Sequence, residues 1–88
     1  MGLLKVGRRV FIRTVTHYHV GEVASLTKSW VVLKDSSWVA DTGRFSDALD
    51  SGNLAEVEKI PGDGTCAVSR AAIVDVFSWN HPLPTSTK

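Results

Sequence analysis

The chain has 88 residues, of which 43% are hydrophobic and 22% charged, with a formal net charge of +1. That length allows one domain, and that composition excludes wholesale disorder. A single cysteine, Cys66, excludes an internal disulfide, and with three histidines the chain has too few ligands for a zinc finger.

So short a chain buries only about two-thirds of its unfolded surface. It needs an efficient small barrel, a partner, or copies of itself. The apolar residues 1–4 precede Lys5, Arg8 and Arg9, the reverse of a signal peptide's order. No apolar run approaches the ~20 residues of a membrane span. The expectation is a cytoplasmic protein with no membrane contact. Its charge is unevenly divided. Residues 1–34 carry six cations and one carboxylate; residues 35–88 carry four cations and eight carboxylates. The basic half suits an anionic partner such as nucleic acid, or an acidic half in the same or a neighbouring subunit.

Residues 6–16 alternate with period two and are rich in β-branched side chains, which predicts a first strand. Arg9, Phe11 and Arg13 share one face. Val10 and Ile12 share the other, so this strand can be buried on both sides, as in a small closed barrel. His17, Tyr18 and His19 break the pattern and predict a turn or bulge. Residues 20–26 form a second strand. Gly21 inside it permits a sharp bend or the close approach of another backbone. Residues 30–33 form a third strand that continues, after a kink at 34–37, through Trp38, Val39 and Ala40.

Asp41 and Thr42 are candidate caps for a helix over 43–51, with Phe45, Ala48 and Leu49 on one face and Gly52 as its left-handed stop. Residues 54–60 form a fourth strand with Glu56 and Glu58 on its outer face. Pro61-Gly62-Asp63-Gly64 is a turn, 66–69 a short extended piece, and 73–79 the last strand. On that last strand Val74 and Val76 share a face. Residues 80–88, rich in Pro, Thr and Ser, form a tail after a domain spanning 1–79. The fold class is all-β: a small barrel of about five strands, with one short helix between strands 3 and 4. SH3-like, Sm-like and OB-type barrels all fit that count.

Two segments narrow the choice. Val20-Gly21-Glu22-Val23 resembles the centre of the first Sm motif. The run Val68-Ser69-Arg70-Ala71-Ala72-Ile73-Val74-Asp75-Val76 is similar to the second, with Ala71 where that motif has glycine. The block from Trp38 to Leu49 resembles a segment of small uncharacterised bacteriophage proteins, some of them ring formers. The resemblance implies an Sm-like (SH3-type) barrel, assembled as a homo-oligomeric ring of about five to seven copies. It also implies single-stranded RNA or other nucleic acid as a ligand. A phage-encoded structural or protein-interaction ring is the alternative, and the compartment is then the host cytoplasm.

In such a ring Arg70 and Lys34 line the pore. Arg8, Arg9 and Arg13 form a basic stripe, with ion pairs to Glu56 and Glu58 as the competing use of that charge. Ile73, Val74, Val76 and Phe77, apolar on both faces of the last strand, are the interface candidates. Trp30, Trp38 and Trp79 can serve core, interface or base stacking; Trp38, beside the helix, is expected in the core. His17 and His19 at i and i+2 can share a metal only if a third ligand such as Asp41 arrives from afar, and a polar turn explains them without one. Cys66, entering a strand after a glycine-rich turn, reads as a small buried hydrophobe. No catalytic motif, metal site or cofactor site is expected.

Overall fold

The computed structural model describes residues 2–88. Six strands alternate with one short helix: β1 Arg9–Thr14, β2 Tyr18–Leu26, β3 Trp30–Asp41, α1 Phe45–Ser51, β4 Glu56–Lys59, β5 Cys66–Ser69 and β6 Ile73–Ser78. The short extended piece at 66–69 is therefore a full strand, and the count is six rather than five. A 3-10 turn, Arg70–Ala72, joins β5 to β6. All pairings are antiparallel, in the order β4-β3-β2-β1-β6, with β5 also on β3. β5 and β6 do not pair, so the sheet stays open between them.

The β1–β2 connection is tighter than the sequence suggests. Thr14 N–H and Thr14 Oγ1–H both donate to the His17 carbonyl at 2.8 Å, closing a turn over Val15 and Thr16. Tyr18 and His19 therefore lie inside β2, pairing with Arg13 and Ile12. β3 is long enough to hold two partners on one edge. Its Trp30–Leu33 half pairs with β5, and its Ser37–Asp41 half with β4. The expected kink lies between them. Asp35 has φ 50, a left-handed conformation that Asp tolerates better than most residues. The kink is held by the 61–64 turn: Asp35 N–H donates to the Asp63 carbonyl (3.2 Å), and Ser36 donates through N–H and Oγ–H to the Gly64 carbonyl.

Gly21 sits against this kink. A Cβ placed there would lie 2.9 Å from Ser36 Cβ and 3.2 Å from the Lys34 carbonyl oxygen. β2 and β3 approach closely because this position has no side chain, as expected for a glycine within a strand.

Apolar side chains collect on both sides of the sheet. On one side Val10, Ile12, Val23, Val31, Leu33 and Val68 form a cluster plugged by Leu4. On the other, Phe11, Val20, Val39, Val57 and Trp79 are covered by Ala48 of α1 and by Leu54. β1 is thus buried on both faces. Phe11 packs against Tyr18, Phe45 and Trp79 with ring centroids 5.5–5.8 Å apart. Burying a side chain of that size stabilises by about 1.5–3 kcal/mol.

Seven residues are too few for an independently stable helix, so α1 depends on this docking. Its stop is as expected: Gly52 is left-handed (φ 79) and its N–H donates to the Ala48 carbonyl at 2.8 Å. Its start is not. Arg44 occupies the N-cap without a side-chain bond, while Asp41 Oδ1 accepts from Gly43 N–H (2.8 Å) one turn too early to cap the helix.

Residues 80–88, read from sequence as a tail, run back over the second cluster. Trp79 Nε1–H donates to the Pro82 carbonyl at 3.3 Å, and Leu83 packs against this second cluster. Lys88 then pairs with Val57 through two backbone hydrogen bonds.

Candidate functional site

The five basic candidates do not form one patch. Arg13 makes a bidentate ion pair with Asp75 across β1 and β6, at 3.1 and 2.6 Å. Hydrogen bonding to Asp75, and then its charge, raise the Arg13 guanidinium above its ordinary value. Lys34 Nζ lies 3.2 Å from Glu22. Arg9 Nη1 donates to the His81 carbonyl at 3.0 Å, and Arg8 is exposed. Glu56 and Glu58, proposed from sequence as partners of the stripe, lie on β4, three strands away from β1 in the sheet order. Strand order, which periodicity does not report, selected Asp75 instead.

Arg70 sits at the far end of the β3–β5 ladder from Lys34. Its N–H donates to the Ser29 carbonyl (2.9 Å), and its Nη1 to the Thr27 carbonyl (3.0 Å). Arg70 therefore braces the β2–β3 hairpin tip. Trp30 pairs with Ser69 and is 48% exposed. Lys28 lies in the same tip. The strand halves meeting here, residues 23–33 and 64–74, contain no carboxylate. Residues 35–63, beyond the kink, contain seven carboxylates and two cations. The fold thus turns the charge division of the sequence into a polarity along β3. Lys28 and Trp30 were missed as companions of Arg70 because their grouping depends on the β3–β5 register.

The interface candidates divide. Ile73 and Val76 pack against the first cluster and Phe77 against the second. Val74 is 55% exposed. The β1–β6 register slips between Arg13 and Thr14, which pair with Asp75 and Ile73 and leave Val74 bulged out. Val74 and Val76 consequently do not share a face.

The outward edges of β5 and β6 have a definite polarity. Arg70 N–H donates to the Ser29 carbonyl beside the Trp30–Ser69 pair, so Val68 and Cys66 are hydrogen-bonded to β3. The alternation leaves the backbone of Ala67 and Ser69 facing out. Trp79 N–H donates to the Arg9 carbonyl beside the Val10–Ser78 pair, so by the same alternation Val76 and Ser78 face out from β6. The β4 edge, by contrast, is covered by Lys88 and Thr87.

Trp38 is not in the core. It is 40% exposed and stacks on the His17 ring at 4.8 Å. Its strand face points away from α1, since its neighbour Val39 takes the face that the helix covers. His19 is buried, and its Nδ1 lies 4.0 Å from Cys66 Sγ. Burial, and then the charge of His17, lower the His19 pKa; burial pushes the Cys66 thiol up. A raised thiol beside an imidazole that resists protonation is the opposite of an activated nucleophile. No group of three metal-ligating side chains occurs among the described residues. A depression of about 520 Å³ is lined by Arg44, Asp47, Asp50, Ser51 and Lys88, and the Ser51 hydroxyl in it donates to the Asp47 carbonyl at 2.7 Å. No described helix is long and apolar enough to cross a membrane. Comparison with protein-family models, curated proteins and solved structures finds no match for the chain.

Proposed function

We propose that this protein is a non-enzymatic Sm-like (SH3-type) barrel that assembles edge to edge into a homo-oligomeric ring. The observation that carries the reading is the pair of open edges, Ala67 and Ser69 on β5 and Val76 and Ser78 on β6, joined by a three-residue 3-10 turn. Unpaired edges recruit strands, and a head-to-tail pairing of two different edges closes into a ring when the rotation allows. Proline substitution tests it. Ala67→Pro and Ser78→Pro each remove an outward N–H while sparing the pairing with β3 or β1. Each variant is expected to remain folded by circular dichroism and to lose the assembly. An unchanged assembly in both overturns the reading.

The use of the ring favoured by the hairpin tip is binding of single-stranded nucleic acid. An exposed tryptophan at the hairpin tip that holds Lys28 and is braced by Arg70, on strand segments without a carboxylate, suits base stacking combined with phosphate contact, and stacking contributes about 1–3 kcal/mol per base. The expected result is binding of oligo-U or oligo-A that weakens with salt, and a flatter salt dependence in Arg70→Ala. No binding at low salt leaves a structural or protein-interaction ring as the function.

A further inference from the structure

β4 is a four-residue marginal strand whose outer edge is already occupied. Val57 N–H donates to the Lys88 carbonyl at 3.0 Å, and Lys88 N–H returns a bond to the Val57 carbonyl at 2.7 Å. Two bonds exchanged between one pair of residues define an antiparallel bridge. Lys59 N–H adds a bond to Thr87 Oγ1 at 3.2 Å. Residues 87 and 88 thus extend the sheet by one bridge beyond β4.

The hold of this end of the chain on the rest of the molecule is slight. Leu83 is the last residue of this segment packed on the second cluster, and residues 85–88 are exposed. A cavity of about 260 Å³ lies between the arm and the Gly52, Asn53, Leu54 and Val57 surface. Pro82 and Pro84 fix φ and lack N–H groups, which keeps the arm extended and prevents it from folding on itself. An extended arm with few bonds, beside a preformed acceptor edge, meets the conditions for exchange between identical chains. Each bond broken in one copy is remade in the other.

We propose that the β4 edge is a strand-acceptor site and that its occupant is residues 84–88 of a second copy, given in exchange for the chain's own arm. The recognition chemistry is the Lys59 amide for the Thr87 hydroxyl and the Val57 backbone for that of Lys88. Because the exchange uses β4, it is independent of assembly through β5 and β6.

The antiparallel register places Thr87 opposite Glu58. Full-length chains carrying Thr87→Cys are mixed with full-length chains carrying Glu58→Cys, both in a Cys66→Ala background, and oxidised. Exchange predicts disulfide-linked pairs containing one chain of each kind, in excess of pairs of like chains by mass spectrometry. A statistical mixture of like and unlike pairs, or no linked pair, overturns the proposal. A chain carrying both substitutions must link within itself or to a neighbour. If it does neither, the arm does not occupy β4 and the proposal fails on that ground.

Discussion

The ring of His81 occupies the space that a side chain on Gly52 would need. A Cβ at Gly52 would lie 2.6 Å from His81 Cγ, and His81 Nε2–H donates to the Leu49 carbonyl at 2.7 Å. One residue of the returning segment thus closes the C-terminus of α1, satisfying a carbonyl that the helix leaves open. The Trp79 ring supports it edge-on at 5.0 Å.

Replacing Gly52 with alanine meets two penalties, the left-handed φ and the imidazole. The expected loss is about 2 kcal/mol or more. In a His81→Ala background the same change should cost only about 1 kcal/mol, because the backbone penalty alone remains. A double-mutant cycle by urea unfolding measures the difference. Equal costs in the two backgrounds would show that the ring does not sit there.

Gly21→Val should be at least as damaging, since the added atoms meet Ser36 and the Lys34 carbonyl rather than a mobile side chain. A loss of about 2–3 kcal/mol is expected. Val15→Ala, at a site 76% exposed in the β1–β2 turn, serves as the control and should change stability by less than about 0.5 kcal/mol. Similar losses for the two would contradict the close approach of β2 and β3.

Gly21 shows what was legible in the sequence. A glycine inside a strand-like run has few explanations, and the fold supplies one of them. The kink near Asp35, the left-handed Gly52 and the position of α1 were legible for the same reason: each is a local backbone requirement. The ion pair of Arg13 was not, because it depends on β6 returning beside β1 from 62 residues away. Trp38 was misplaced because alternation tells which residues share a face but not which face α1 covers. Val74 was misplaced because a single bulge inverts the alternation. The 80–88 segment has the composition of a loose tail, and its seat on β4 and α1 exists only once both have formed.

His19 gives the fold a pH dependence of definite sign. Burial lowers its pKa below the ordinary 6.5, with the charge of His17 as the smaller cause. As pH falls through about 6.5, the unfolded chain takes up the proton before the folded one does. Stability is therefore intact above that pH and declines below it, down to the lowered folded value. The urea midpoint of the wild type should drop between about pH 7.5 and about pH 5.5, and His19→Asn should lose part of that drop. Identical pH slopes would remove His19 from the account.

Assembly through the β5 and β6 edges is the central claim, and the solution mass of the untagged protein tests it most directly. Light scattering at micromolar concentration should return a discrete multiple of the 9.6 kDa chain, about five to seven copies, unchanged on dilution within that range. A single species of 9.6 kDa would contradict the account, since the outward backbone of Ala67, Ser69, Val76 and Ser78 would then have no strand to meet.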